Sequence, residues 1–264
     1  MLIVNILELK IFPKNFQLLK FLENLINSAK SFHKSIIKLS LLLLMAASNS
    51  NLVIRNEKKS EWRTVEEVTR EAFWNYFQPG ADEHFILHKL REHADFIKEL
   101  DFVAELDGKI VGSIVYSKAY IEKLDGSKYD VICFGPVCVL PSYRKLGVGR
   151  KLIEHSANVA ADLGHKAIII YGDPRYYGRL GFRCGEKYDI TSKEGKFSVS
   201  LMTKVLVPGA LDDAAGKFFE SSAFNIDPSE LEAFDSSFPP GIKEETESQR
   251  EFNVLITLSY VGDK

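Results

Sequence analysis

A short basic segment with two glycines, one residue apart, has the composition of an anion site. It reads Arg144-Lys145-Leu146-Gly147-Val148-Gly149-Arg150 and follows an apolar stretch that is typical of a strand. Amide groups at the N-terminus of a following helix are unpaired and can face an anion. Glycine lets a ligand approach the backbone, and the basic side chains add positive charge. The segment therefore predicts a site for a phosphate-bearing ligand, formed by Arg144, Lys145, Gly147, Val148, Gly149 and Arg150.

Two common nucleotide-binding motifs do not match this segment. A dinucleotide fold requires G-x-G-x-x-G, and Leu152 stands where the third glycine would be. A nucleoside triphosphate loop ends in G-K-[ST], a tripeptide that the sequence lacks. The pattern that remains is R-x-x-G-x-G between a strand and a helix. Taken alone, it leaves a plain strand-to-helix connection open.

Three consecutive blocks together resemble the GNAT superfamily of N-acetyltransferases. The loop resembles the acetyl-CoA signature of that family, residues 135–144 resemble its fourth strand, and residues 172–182 resemble the segment after its fifth strand. Residues 172–177, which read G-D-P-R-Y-Y, are similar to a branch of predicted acetyltransferases. The resemblance implies acetyl-CoA as co-substrate, with its pyrophosphate held by the loop.

The resemblance also implies a fold class. This is the acyl-CoA N-acyltransferase fold, an α/β fold whose mixed, mostly antiparallel sheet is splayed between the fourth and fifth strands and flanked by helices. The pantetheine arm would lie in that gap, against the backbone of Val137, Cys138 and Val139. Gly135-Pro136 favours a bulge there, because proline cannot donate to a ladder. An edge strand with Pro136 facing solvent is the alternative.

Tyr177 is the predicted catalytic residue. It stands four residues before Gly181-Phe182, where many GNAT enzymes carry a tyrosine near the sulfur of CoA. Its phenol would donate a proton to the departing thiolate, which is general-acid catalysis. Tyr176 is predicted to pack. Cys138 is interpreted as a packing residue rather than a nucleophile, because the family transfers the acetyl group directly.

The implied reaction is attack by a primary amine, on a small molecule or a peptide, in a ternary complex with acetyl-CoA. The base that deprotonates the amine stays open between Asp130, Glu105 and a chain of waters. A second function class also stays open, namely a non-catalytic module that binds acyl-CoA as a sensor or interaction surface. Tyr177 favours the enzyme, because a sensor needs no acid beside the sulfur.

Composition excludes some other classes. The formal net charge of −2 over 264 residues gives no indication of a nucleic-acid partner. Three cysteines without ligand spacing indicate no metal site and no disulfide framework, which favours a reducing, cytoplasmic location. His84 and His88 have i, i+4 spacing but no evident third ligand, so packing or solvent-facing roles are favoured. A homodimer is left open.

Periodicity and turn residues predict the elements that position these groups. The predicted strands are 52–55, 102–106, 109–120, 129–140 and 166–171, with tight turns at Asp107-Gly108 and Asp125-Gly126. A capping box from Thr64 to Glu67 predicts a helix through Tyr76, followed by helices at 82–93 and 148–163. The strand, helix and strand around the loop imply parallel pairing in this half of the sheet.

Three regions are predicted. Residues 1–50 form an N-terminal extension, interpreted as a mis-assigned start or a targeting segment; a membrane-surface helix is the alternative, and no stable membrane insertion is expected. Residues 51–211 form the acetyltransferase domain. Residues 212–264 form an acidic appendage, either flexible or folded over the domain as a clasp.

Overall fold

Two tight turns order the first half of the sheet. In the computed structural model, which describes residues 51–262, β2 (Phe102–Leu106) and β3 (Lys109–Lys123) meet at Asp107-Gly108. Both turn residues have positive φ, 51° and 82°, which suits the twist of a two-residue hairpin. The chain turns again at Gly126 into β4 (Lys128–Val139), and β1 (Leu52–Asn56) pairs antiparallel with β2. The predicted antiparallel meander is therefore present.

The sheet opens after one pair of residues between β4 and β5. These strands are parallel, and their single registered pair is Ile132 with Ile168. Beyond it, β5 (Ala167–Tyr171) pairs along its whole length with β9 (Leu201–Val205), which also pairs with β6 (Arg183–Cys184). The second half of β4 pairs only with β3. This mixed, mostly antiparallel and splayed sheet confirms the predicted fold class.

Helices flank the sheet on both sides of the opening. They are α1 (Trp62–Phe73), α2 (Glu83–Arg91), α3 (Val148–Asp162), α4 (Pro174–Tyr177), α5 (Pro228–Asp235) and α6 (Glu247–Thr257). Helix α3 buries Val148, Leu152, Ile153, Ala157 and Ala160 at helical spacing. Within residues 51–262, every helix is too short or too polar to cross a lipid bilayer.

Helix α1 begins and ends earlier than predicted. A 3₁₀ turn at Lys59–Glu61 precedes it, where the Glu61 carboxylate accepts the Lys58 amide at 3.0 Å, so Thr64 lies inside the helix. At the other end, Asn75 adopts a left-handed φ of 57°. Its amide donates to the Gly80 carbonyl and its side chain accepts the Gly80 amide, both at 2.8 Å. These two hydrogen bonds between Asn75 and Gly80 close a loop where the last turn of the helix is predicted.

The compact unit does not stop at residue 211, where the predicted appendage begins. Strand β10 (Gly216–Phe219) pairs antiparallel with the second half of β3 and parallel with β7 (Ile190–Thr191). Strand β11 (Ser259–Tyr260) pairs with β8 (Phe197–Ser198). The described part of the acidic C-terminal region thus adds a strand to the main sheet and, through α5 and α6, helices around it. The predicted N-terminal extension, residues 1–50, lies outside the described residues.

Candidate functional site

The opening between β4 and β5 is a large cleft. Its volume is about 1180 Å³, and its walls come from the second half of β4, the ends of β5 and β10, and helices α1, α4 and α6. Among the predicted site residues, Val137, Cys138, Val139, Arg144, Gly149 and Tyr177 line it. A cleft of this size accommodates an extended ligand rather than a single small ion.

A bulge at Gly135-Pro136 separates the two halves of β4. The register with β3 shifts between Ile114 and Tyr116, opposite this dipeptide. Pro136 is buried, which excludes the alternative of an edge proline facing solvent. The bulge re-aims the strand just where β5 leaves it.

Beyond the bulge, β4 offers unpaired peptide groups to the cleft. The Leu140 amide donates to the Val111 carbonyl of β3 at 2.9 Å. Peptide groups alternate in direction along an antiparallel strand, so those of Val137 and Val139 point away from β3, toward the cleft. Those of Cys138 point toward β3. The open edge therefore consists of the peptide groups of Val137 and Val139. Cys138 is predicted to contact the pantetheine arm with them, but its peptide groups face β3 instead.

The basic loop ends at the first turn of α3. Gly147 is the N-cap residue with a left-handed φ of 81°, and no side chain caps the helix. Within the described residues, the Val148, Gly149 and Arg150 amides have no acceptor, and the first intrahelical bond runs from the Lys151 amide to the Gly147 carbonyl at 3.0 Å. These free donors and the helix dipole make this end an anion-binding position. Val148 itself is buried against the core.

The basic side chains of the loop are directed in different ways. The Arg144 guanidinium donates to the Ala72 carbonyl at the end of α1 and lies 4.9 Å from the Tyr76 ring. Arg150 donates to Glu154 at 2.7 Å on the exposed side of α3. Lys145 is exposed and adopts a left-handed φ of 64°. The backbone amides at the end of the loop thus point to one common position, whereas its basic side chains do not.

Tyr177 lies at the base of the cleft among aromatic rings. Its ring centroid lies 5.9 Å from Phe134, 5.4 Å from Phe182 and 5.0 Å from Tyr176. Burial raises the pKa of its phenol above the usual value. Because of this raised pKa, the phenol keeps its proton at neutral pH. No described residue hydrogen-bonds to its hydroxyl, so the proton is available for donation.

Local sequence explains why Tyr177 takes this position. Asp173 accepts the Arg175 amide at 2.8 Å and caps the short helix α4, and Pro174 occupies its first position. The Tyr177 ring then folds back onto Gly172. A Cβ atom at Gly172 would lie 2.2 Å from Cε2 of Tyr177, so only glycine leaves room for the ring. Sequence reasoning did not single out Gly172 for this role.

Tyr176 contacts the loop instead. A Cβ at Gly149 would lie 3.2 Å from the Tyr176 hydroxyl oxygen and 3.5 Å from Cγ2 of Val139. Gly149 therefore lets the start of α3 pack closely against both the end of β4 and α4. This places the free amides of α3 next to the open edge of β4.

The two cysteines of β4, Cys133 and Cys138, are not arranged as nucleophiles. Cys138 is buried, with its sulfur 3.2 Å from Ser113 Oγ and 3.5 Å from Thr69 Oγ1, and burial raises the pKa of its thiol. Burial also raises the pKa of Cys133. Since the thiolate is the reactive form, both are poor nucleophiles.

Neither carboxylate predicted as a base lies in the cleft. Glu105 pairs with Arg55 at 2.7 Å on the far edge of the sheet. Asp130 is an exposed residue near the start of β4 and does not line the cleft. Glu220, which follows β10, and Glu83, at the start of α2, do line it. The sequence gives no signal for either residue. The family resemblance does not extend to Glu220, and nothing in the sequence distinguishes Glu83 from an ordinary surface carboxylate.

The two cleft carboxyls differ in their surroundings. Glu220 is exposed to solvent on the cleft wall, with Oε1 3.9 Å from Cys133 Sγ, and partial desolvation of its carboxyl group raises its pKa to about 6. Glu83 is buried, and burial raises its pKa to about 8. At neutral pH Glu220 is therefore charged, while Glu83 is mostly protonated.

The two histidines at i, i+4 spacing turn to different partners. His84 Nε2 lies 2.9 Å from Asp235 Oδ1, and His88 Nδ1 lies 3.0 Å from Glu66 Oε1. Both contacts join helices. In the part of the chain that the structure describes, no three His, Cys, Asp or Glu side chains are grouped to hold a metal ion.

Sequence comparison identifies the family of this fold. Residues 62–182 match the Acetyltransferase (GNAT) family profile. The chain is 26% identical over 150 residues to the uncharacterized N-acetyltransferase YhbS of Escherichia coli K12, covering 56% of this chain and 86% of YhbS. It is 29% identical over 125 residues to the uncharacterized N-acetyltransferase YjhQ of the same strain, covering 47% of this chain and 65% of YjhQ.

Structure comparison agrees. The crystal structure of Escherichia coli YhbS in complex with CoA superposes with a TM-score of 0.59 at 23% identity, over 66% of this chain and 92% of that one. A GNAT family acetyltransferase from Brucella melitensis, in complex with acetyl-CoA, superposes with a TM-score of 0.54 at 26% identity, over 66% of this chain and 99% of that one. The splayed sheet thus agrees with the sequence match, which assigns residues 62–182 to an acetyltransferase domain of the GNAT family.

Proposed function

We propose that this chain is an N-acetyltransferase that moves the acetyl group of acetyl-CoA to a primary amine by direct attack in a ternary complex. One observation carries the proposal. A single cleft brings together the free amides of α3, the open edge of β4 and the Tyr177 phenol. These groups match, in order, a diphosphate, an amide-bearing arm and a leaving thiolate. The relative from Brucella melitensis, whose structure contains acetyl-CoA, supports the choice of donor.

The residues present fit acetyl-CoA. The diphosphate would accept hydrogen bonds from the amides at Gly147, Val148, Gly149 and Arg150. The pantetheine arm would pair with Val137 and Val139 as an added strand, which is a general mode of recognition at an exposed sheet edge. The thioester would then point along β4 toward the bulge, where Tyr177 lies against Phe134.

Catalysis follows from this placement. The amine attacks the carbonyl carbon, negative charge develops on the oxygen, and a backbone donor of β4 stabilises it. The carbon–sulfur bond breaks, and the Tyr177 phenol donates its proton to the sulfur. Holding both substrates in one cleft supplies the orientation that the bimolecular reaction lacks in water.

The remaining sequence predictions stay proposals. They are the narrower G-D-P-x-Y-Y branch, the cytoplasmic location, the homodimer and the identity of the amine as a small molecule or peptide. A non-catalytic acyl-CoA sensor is the alternative function. The unbonded Tyr177 hydroxyl, directed to the cleft, supports the enzyme over that alternative.

Binding and turnover are tested separately. Titration calorimetry with acetyl-CoA should give binding, and release of CoA thiol in the presence of an amine panel should give turnover. Binding without turnover for every amine would favour the sensor, and no binding at millimolar acetyl-CoA would refute both functions.

The loop is tested with Gly149→Asp and the matched Gly149→Ala. The aspartate places a carboxylate in the first turn of α3, where it suits the helix dipole, so the fold should persist. It also occupies the anion position with like charge, which costs several kcal/mol, so affinity for acetyl-CoA should fall at least about 100-fold. The alanine variant should bind more tightly than the aspartate variant. Equal affinities for the two variants would contradict the anion assignment.

A further inference from the structure

The cleft has a second half that acetyl-CoA does not use under the proposed function. Its walls carry aromatic and apolar side chains. Phe77 and Tyr171 lie within the family match, which ends at residue 182, whereas Phe224, Phe252 and Leu255 lie beyond it. Polar side chains, among them Ser192, Glu194 and Ser222, line the same half. Its aromatic and apolar part is suited to the body of an acceptor, because burying apolar surface supplies binding energy without a specific charge.

Helix α6 closes this half of the cleft. On the β4 side, Ser248 Oγ donates to the Tyr76 carbonyl at 2.8 Å and Gln249 Nε2 donates to the Asn75 carbonyl at 3.1 Å. On the β5 side, Glu251 lies 3.4 Å from Arg175 of α4. Between these anchors, Phe252 packs against Phe77 at 4.3 Å between ring centroids. The helix thus spans the opening from the end of α1 to α4.

Glu220 is the free carboxylate of this chamber. Among the other acidic groups that line the cleft, Asp173 and Glu251 pair with Arg175, and Glu194 accepts the Ser192 hydroxyl. Among the described residues, Glu220 has no ion-pair partner within 4.0 Å, whereas the equally unpaired Glu83 is buried and mostly protonated.

Glu220 also lies at the point where the sheet opens. Its neighbour Cys133 lies on β4 between Ile132, the last residue paired with β5, and Phe134, which contacts Tyr177. The titratable groups that face Glu220 are Cys133 of β4, Tyr171 of β5 and Lys193 of the turn after β7. An acetyl group whose sulfur lies near Tyr177 would therefore have Glu220 across the opening.

We propose that the acceptor is a small primary amine on an aromatic or aliphatic body, and that Glu220 is the catalytic residue that takes the proton its ammonium group must lose. The proposal rests on the proposed function. One proton passes from the ammonium to Glu220 and on to solvent. The neutral amine then forms the carbon–nitrogen bond, the carbon–sulfur bond breaks, and Tyr177 gives its proton to the sulfur. The second nitrogen-bound proton returns to the Tyr177 phenolate, so the net reaction releases one proton.

The first test is an amine panel with wild-type protein at saturating acetyl-CoA. Phenethylamine and hexylamine should be acetylated with kcat/KM at least about 10-fold higher than spermidine or a lysine-containing peptide, since one or two buried apolar groups are worth this factor. A preference for spermidine or the peptide would overturn the substrate class.

The second test compares Glu220→Gln with Glu194→Gln, which removes the same charge from the same wall. Glu220→Gln should lower kcat/KM for phenethylamine about 10²–10⁴-fold. The wild-type rate should fall below about pH 6, and this variant should lack that fall. Glu220→Asp should recover part of the rate, and Glu194→Gln should match wild type. Calorimetry should give all variants nearly the wild-type affinity for acetyl-CoA.

The outcomes separate the two proposals. If wild-type protein acetylates amines and Glu220→Gln retains both rate and pH profile, the role of Glu220 is refuted and the proposed function stands. If wild-type protein binds no acetyl-CoA, the proposed function fails first. If Glu220→Gln loses acetyl-CoA affinity in proportion to its rate, Glu220 supports the donor site instead and the inference is again refuted.

Discussion

Replacing Tyr177 by phenylalanine removes one hydroxyl and little else. The contacts of the ring with Phe134, Phe182 and Tyr176 involve the aromatic face and edge, and phenylalanine keeps them. The hydroxyl has no hydrogen-bond partner among the described residues, so its loss leaves no buried group unsatisfied. The free energy of unfolding should therefore change by less than about 1 kcal/mol.

The effect on turnover should be much larger. If the phenol protonates the leaving sulfur, its removal costs the usual contribution of a general acid, about 10²–10⁴-fold in kcat, or roughly 3–5 kcal/mol of barrier. Because burial raises the pKa of Tyr177 above its usual value of 10, the acid stays protonated through neutral pH. Wild-type kcat should consequently show no loss from this group between pH 7 and 9.

The assay is CoA thiol release at saturating acetyl-CoA and amine, with acetyl-CoA affinity measured by calorimetry. Tyr176→Phe is the matched control, since its hydroxyl lies near Gly149 rather than at the base of the cleft. This control should lower kcat less than 10-fold. The reasoning would be refuted if Tyr177→Phe kept kcat within about threefold of wild type, or if its rate loss were matched by the loss in Tyr176→Phe. Tyr177 would then be a packing residue.

Two further predictions concern other cleft residues. Gly172→Ala should displace the Tyr177 ring, because the new Cβ would lie 2.2 Å from Cε2, and overpacking of this kind costs about 1–3 kcal/mol of stability. Denaturant unfolding should show that loss of stability, and the thiol-release assay should show a fall in kcat. Unchanged values of both would contradict the packing geometry. Glu83 binds its proton more tightly in the folded state, where burial raises its pKa from 4.5 to about 8, so its contribution to stability is present below pH 4.5 and is lost as pH rises to about 8. The free energy of unfolding of wild type should accordingly fall by roughly 2–4 kcal/mol over this range, and Glu83→Gln should lack that decline. Parallel curves of unfolding free energy against pH for the two proteins would contradict the assignment.

The C-terminal region changes how the cleft is understood. From sequence, residues 212–264 have an acidic composition that suggested an appendage. In the structure, Asp235 at the end of α5 accepts Arg70 of α1 at 2.6 Å, and His84 of α2 lies 2.9 Å from the same carboxylate. Burial lowers the pKa of His84 to about 4, so at neutral pH this contact is a hydrogen bond that the neutral imidazole donates to the Asp235 carboxylate. The region therefore packs on α1 and α2, the helices next to the cleft.

Several features followed from the sequence alone, because local chemistry decides them. Asp107-Gly108 predicted the β2–β3 hairpin, since its positive φ values suit few other residues. Gly147 before a periodic apolar stretch predicted the start of α3. Gly135-Pro136 predicted the bulge, because a missing amide interrupts any ladder. The three motif blocks lie close together in the chain, so their order already indicated the family and the parallel β4–β5 pair.

Other features were decided only by tertiary structure. The peptide groups of Cys138 face β3 because of the register of the β3–β4 ladder. The hydrophobic pattern does not reveal that register when both faces of a strand are buried. The need for glycine at position 172 arises from a ring that folds back from five residues later in the chain. Glu220 reaches the opening of the sheet because β10 pairs with the far half of β3, a contact across about one hundred residues. Sequence determines local conformation through short-range sterics and hydrogen bonds, whereas the half of the cleft beside Glu220 is built from segments that meet only when the whole sheet has formed.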